Sequence, residues 1–120
     1  MDWTAMFMSA AGATTDPAYP LDGVDLLPVA RGEKPAFERT VLWRQPALTY
    51  NGQPPQQAVR RGRWKYLSID GREYLFDIPA DPGEKADRKG RYPEVLAALK
   101  DAFQQWDAAL PPRPANPHDR

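Results

Sequence analysis

The sequence contains no cysteine and only one histidine among its 120 residues. Without cysteine, the chain cannot form a disulfide, a thiolate metal site or a thiol nucleophile. A single imidazole, that of His118, also cannot build the multi-histidine sites that many zinc enzymes use. These absences remove several common catalytic and metal-binding chemistries from consideration.

Net charge and long apolar runs are also missing. Sixteen basic side chains balance sixteen acidic ones, so the overall charge does not favour nucleic acid or an anionic membrane. The apolar residues 1–13 include Asp2, lack a basic leading region and fall short of the roughly 18 to 20 residues that span a bilayer. We therefore expect no nucleic-acid partner, no membrane partner, no signal peptide and no membrane anchor.

The composition that remains is typical of a folded domain. Hydrophobic residues make up 42% of the chain and charged residues 27%, and the length suits one compact unit. A short helix is predicted from Asp2 to the stop at Gly12, with Asp2 as its cap. Its apolar side chains occupy most faces, namely Trp3, Met6, Phe7 and Met8. A helix that is apolar all round needs burial on several sides, so we expect that a larger body is missing.

The middle of the chain predicts an antiparallel sheet of about four strands. After a connector that ends at Gly32, strands are expected over 39–44, 57–60, 64–68 and 72–77. Tight turns at Gly62 and Asp70-Gly71 join the last three. Alternation places Trp64 and Tyr66 on a packed face, and the opposite face is expected to be mostly in water.

The end of the chain predicts one long helix and a tail. Pro93 opens the helix, which runs to about Leu110 and carries a single apolar stripe at steps of three and four residues. This helix should cover one face of the sheet, which gives an α+β fold. Residues 111–120, which are rich in proline, are expected to be a disordered tail.

Several residue groups could carry chemistry, and each also has a structural interpretation. The basic and aromatic run 60–66 could bind nucleic acid, but alternation favours aromatics in the core and cations in water. Carboxylates that could hold a hard cation fit no EF-hand spacing and suit a solvated turn: Asp77, Asp81, Glu84 and Asp87. His118, Ser9 and Ser68 lack the partners that a general base or a nucleophile needs.

Six stretches resemble sulfatase motifs, in the order and with the spacing of that family. They are Asp2-Trp3-Thr4-Ala5 with Ala10-Ala11-Gly12-Ala13, Leu21 to Pro28 with Arg31-Gly32-Glu33, Arg39 to Arg44, Ala58 to Tyr66, Glu73 to Asp77, and Asp81-Pro82-Gly83-Glu84. Two departures are visible: Thr4-Ala5 stands where the family usually has Pro-Thr, and Ala30 stands where it often has Leu.

The resemblance implies a C-terminal piece of a sulfatase. Residues 1–35 would be the end of the large α/β sulfatase domain and a connector, 36–110 the C-terminal subdomain, and 111–120 the tail. Family members use a formylglycine, made from the Cys or Ser of a C/S-x-P-x-R motif, and a calcium ion. Both belong to the large domain, so we assign no catalytic, cofactor-binding or metal-binding residue in this chain. The expected partner is that missing catalytic domain.

Three hypotheses follow. The chain is a structural or substrate-entrance subdomain of a sulfatase, inactive by itself. Alternatively, it is a stand-alone interaction module from a split or truncated reading frame, which binds another chain through the apolar surface of its first helix. An independent enzyme is the least favoured hypothesis, because no nucleophile with a base or metal cluster is evident.

Overall fold

The structure is a computed structural model that describes residues 1–46 and 52–111. The chain forms two compact units, Met1–Phe37 and Glu38–Arg120. The predicted tail at 111–120 lies, apart from Pro111, outside the described residues. None of the helices in the described part of the chain is long and apolar enough to cross a bilayer.

The first unit contains two helices, α1 (Asp2–Ala10) and α2 (Leu27–Ala30). The prediction of Asp2 as the cap of α1 is wrong, because Met1 occupies the cap position and Asp2 begins the helix. Instead, the Asp2 carboxylate accepts a hydrogen bond of 3.0 Å from the Val24 backbone amide. A Cβ at Gly23 would collide with the Met1 backbone, so glycine is required where the connector passes the helix.

The second unit holds an antiparallel sheet with strands in chain order. The strands are β1 (Thr40–Gln45), β2 (Gln56–Arg61), β3 (Trp64–Ile69) and β4 (Arg72–Asp77). Two-residue connections join the last three, and both lie where the sequence predicts them. Asp70 and Gly71 have φ angles of 51° and 75°, the backbone of a primed hairpin turn. Each strand begins and ends within two residues of its predicted position.

The helix α3 (Pro93–Ala109) packs on one face of this sheet, as its apolar stripe predicts. Leu99 and Phe103 from α3 pack with one side chain from each of the strands β2, β3 and β4. Together they form the core: Val59, Tyr66, Leu75, Leu99 and Phe103. The predicted α+β class, with a four-stranded antiparallel sheet on one C-terminal helix, is confirmed. The packing buries apolar area, which is the main stabilising contribution.

The opposite face of the sheet is more apolar than the sequence interpretation allowed. We call it the second sheet face; strand alternation and register assign to it Trp43, Ala58, Leu67, Ile69, Tyr74 and Phe76. Phe76 is only 6% exposed and its ring stacks at 6.1 Å on Tyr74. The sequence predicted a face mostly in water from β3 alone, because the charged Lys65 of that strand is expected to be exposed to solvent. The neighbouring β4 contributes aromatics to the same face.

Candidate functional site

Two of the four carboxylates that the sequence analysis assigned to a solvated turn form ion pairs with basic residues of the β2–β3 region. Asp77 receives two hydrogen bonds from Arg63, at 3.0 and 2.7 Å. Glu84 receives two from the Lys65 ammonium, at 2.6 and 2.8 Å. Glu84 also has a φ of 53°, unusual for a residue with a side chain. Its bidentate contact with Lys65 therefore holds a strained turn against the sheet.

The other two carboxylates organise the loop between β4 and α3. Asp81 accepts hydrogen bonds from the backbone amides of Lys85 and Ala86, at 2.7 and 2.8 Å. Asp87 accepts one of 3.1 Å from the amide of Leu75, which lies in the edge strand β4. All four acids thus have partners within the protein, and their contacts fix a loop.

The acidic and serine side chains of the described residues do not fit the calcium ion and the formylglycine that sulfatases use. In the described part of the chain, no cluster of three or more acidic or histidine side chains could hold a metal ion. Ser68 is 4% exposed, and Asp70 occupies the position two residues later where a formylglycine motif has proline. Ser9 is followed at that position by Ala11. His118 lies outside the described residues. We therefore derive no reaction step through calcium or formylglycine in this chain.

The basic and aromatic run divides as alternation predicts. Tyr66 is buried in the core at 1% exposure. Arg60 donates through Nε to the Gly62 carbonyl at 3.3 Å, and Arg61 donates through Nε to the Thr40 hydroxyl at 2.7 Å. The cations make local contacts around the β2–β3 hairpin, and this core aromatic is not available for stacking on a base.

A polar network links α3 to the sheet beneath it. The buried Tyr66 hydroxyl donates to Glu73 at 3.0 Å, and Lys100 from α3 reaches the same carboxylate at 2.8 Å. The hydrogen bond from Lys100 lowers the pKa of Glu73. Burial, together with Glu73, raises the pKa of Tyr66. The network orients α3 on the sheet, and its shifted groups need no catalytic role to explain them.

The first unit presents an exposed pair of aromatic side chains. Trp3 and Phe7 are 67% and 64% exposed, and their rings lie 5.8 Å apart on one side of α1. Met6 and Met8, which the sequence grouped with them, are half-buried, while Ala5 is buried. The apolar side chains of α1 are thus buried or half-buried on one side of the helix and exposed on the other.

Comparison with known proteins gives a sequence relative and several solved structures. No family model matches the chain. A choline-sulfatase of Rhizobium meliloti (strain 1021) is 34% identical over an alignment of 87 residues, which covers 70% of this chain and 16% of the relative. The chain thus spans about one sixth of the curated relative's length.

Solved structures share the fold. A 2-O glycosaminoglycan sulfatase matches 89% of the chain with a TM-score of 0.67 and 24% identity, over 24% of its own length. A protein from Bacteroides thetaiotaomicron assigned to the sulfatases matches 97% with a TM-score of 0.68 and 24% identity, over 27% of its own length. The fold is therefore one found within sulfatase structures.

The structural and sequence matches agree with the six motifs. This chain belongs to the sulfatase family, as a C-terminal region that corresponds to a fraction of its relatives' length. The motifs are visible in the sequence, but the contacts between them appear only in the fold. Lys65 of the W-K-Y stretch and Glu84 of the D-P-G-E stretch meet as an ion pair, so two motifs separated in sequence form one structural unit.

Proposed function

We propose that this chain is the C-terminal subdomain region of a sulfatase and supports sulfuric ester hydrolysis only together with the large catalytic domain. In that arrangement the remainder of the enzyme supplies the formylglycine and the calcium ion. The chain supplies a folded platform that packs on the catalytic domain and borders the substrate entrance. The family membership established above makes this the function that the chain's residues support best.

The observation that carries the proposal is the second sheet face. A sheet with α3 on one face and solvent on the other should alternate apolar and polar residues. Here Leu67, Tyr74 and Phe76 place apolar groups opposite α3. The β4–α3 loop covers part of this face, through the ion pair of Glu84 with Lys65 and through Lys89, whose ammonium lies 5.4 Å from the Tyr74 ring centroid. Trp43 at the β1 edge is 51% exposed. Apolar side chains on both faces are typical of a sheet between two layers. We propose that the catalytic domain covers the exposed part of this face, around Trp43 of β1.

The carboxylates and the core serine support a structural role. Each of the four acids near the β4–α3 loop accepts hydrogen bonds that hold the loop or the hairpin. Ser68, whose hydroxyl is a candidate nucleophile by residue type, is only 4% exposed. The four carboxylates therefore have structural contacts in this region.

Binding between the two parts tests the proposal. The large catalytic domain is expressed separately and mixed with this chain. It comes from the complete enzyme, or from the choline-sulfatase relative truncated before the region that matches this chain. Size-exclusion chromatography should show one complex. Trp43→Glu places a charge on the second sheet face and should abolish co-elution, whereas Gln104→Glu on the exposed side of α3 should not. Equal binding by both variants would rule out this face as the contact.

The exposed aromatic pair of α1 favours one further candidate function, a stand-alone interaction module. Trp3 and Phe7 form an apolar patch that solvent does not favour. Under this alternative the chain alone should self-associate or capture a partner. Sedimentation of the chain at high concentration as a stable monomer, unchanged by Trp3→Ser, would exclude self-association through this patch.

A further inference from the structure

The outer edge of β1 carries backbone groups without a partner. The residues that flank a two-residue hairpin loop form a hydrogen-bonded pair, and the bonding direction then alternates along each strand. The Ile78 amide follows this pattern, since it donates to the Arg63 carbonyl at 2.9 Å. The strand registers therefore point the amides and carbonyls of Thr40, Leu42 and Arg44 away from β2. Within residues 1–46 and 52–111, no group bonds to them.

The other edge of the sheet, that of β4, is closed by the loop that follows it. The Leu75 amide donates to the Asp87 carboxylate at 3.1 Å, and the Leu75 carbonyl accepts from the Arg88 amide at 2.7 Å. The Glu73 carbonyl accepts from the Lys89 ammonium at 2.8 Å. A covering loop is one of the ways in which native proteins protect an edge strand. The β1 edge is thus the place where another strand can add to this sheet.

β1 lacks the features that usually keep an edge strand from pairing. Such strands are protected by lysine, proline or a bulge. The six residues of β1 include neither lysine nor proline, and they pair one to one with β2, without a bulge. Its one charged side chain, Arg44, is neutralised by Asp107 of α3 at 2.8 Å. On the second sheet face, Trp43 is 51% exposed. These features favour the addition of a strand over exposure to solvent.

The sequence of β1 is complementary to itself. We propose that the β1 edges of two copies of this chain pair antiparallel about a two-fold axis at Leu42. The three outward residues of each copy then donate and accept about six backbone hydrogen bonds in all. The same register places Trp43 of each copy beside Val41 of the other, and pairs of an aromatic and a β-branched residue stabilise a sheet. Arg44 lies opposite Thr40, so no like charges meet.

The pairing closes at a dimer. A two-fold contact uses the same surface on both copies, and because β4 is covered, the eight-stranded sheet offers no further open edge for growth into a fibre. The helix α3 lies over β2 and β3, so it leaves the β1 edge accessible. Trp43 also belongs to the face that we propose for the catalytic domain, so a second copy and that domain compete for it. The inference itself does not rest on the proposed function, because it is tested on the chain alone.

Hydrogen exchange in the 120-residue chain tests this register. In sedimentation velocity, the chain alone should be a monomer at micromolar concentration and a dimer near millimolar concentration. Exchange of backbone amides is followed by NMR at both concentrations. The outward amides of Thr40, Leu42 and Arg44 should exchange several times more slowly in the dimer, because they become hydrogen-bonded. The amides of Val41 and Trp43 already bond to β2, so they are the internal control and should change much less.

Two variants separate this interface from the exposed aromatic pair of α1. Val41→Lys adds the charge that protects natural edge strands and removes both cross-strand pairs with Trp43, so it should raise the dissociation constant of the dimer about tenfold. Trp3→Ser changes the α1 patch and should leave that constant unchanged. A monomer near millimolar concentration, growth beyond a dimer, loss of the dimer in Trp3→Ser, or a dimer whose outward amides exchange as in the monomer would overturn the proposal.

Discussion

Removal of one core side chain tests the packing of α3 on the sheet. Leu99 is 2% exposed and belongs to the core cluster with Val59 and Tyr66. Leu99→Ala should lower the free energy of unfolding by about 3 kcal/mol, the usual cost of a buried leucine truncated to alanine. In a domain of this size, that loss lowers Tm by about 12 to 24 °C. The change is a large fraction of the typical total stability.

The assay is urea unfolding of the chain, followed by far-ultraviolet circular dichroism. Gln104→Ala, on the exposed side of the same helix, is the matched control and should change stability by less than about 0.5 kcal/mol. The slope of the transition should be equal in all three proteins, since each buries nearly the same area. A cost for Leu99→Ala no larger than that of the control would mean that α3 does not pack on the sheet as described.

Two further predictions concern the polar contacts. A double-mutant cycle of Lys65→Met and Glu84→Gln should give a coupling of about 1 kcal/mol in urea unfolding, because the pair is bidentate and partly buried; independent effects of the two substitutions would contradict the pairing. The pKa of Glu73 is lowered in the folded chain by Lys100, so its contribution to stability is present above the ordinary value of 4.5 and is lost as pH falls. Lys100→Met should therefore reduce the loss of stability on acidification, measured by urea unfolding at a series of pH values. An unchanged dependence of stability on pH below 4.5 would refute this linkage.

Local patterns made most of the fold predictable. The Asp70-Gly71 pair specifies its own turn, because both residues must take positive φ. The apolar stripe of α3 identifies Leu99 and Phe103 as core residues, since side chains three and four apart share a helix face. Such features depend on near neighbours in the sequence, so the sequence alone is enough to find them.

Features that join distant segments could not be predicted in this way. Glu84 and Lys65 are nineteen residues apart, and only the folded loop shows that the two motifs meet. The apolar character of the second sheet face depends on the register of β3 against β4, which places Leu67 beside Tyr74. Tertiary contact, and not local propensity, determines these features.

Sulfatase activity tests the central claim most directly. The hydrolysis of a generic aryl sulfate in the presence of calcium is compared for the chain alone, the separately expressed large domain alone, and the mixture of the two. We expect turnover that depends on the large domain and increases when this chain is added, with no turnover by the chain alone. Hydrolysis by the chain alone would contradict the account, because it would require a nucleophile within these 120 residues.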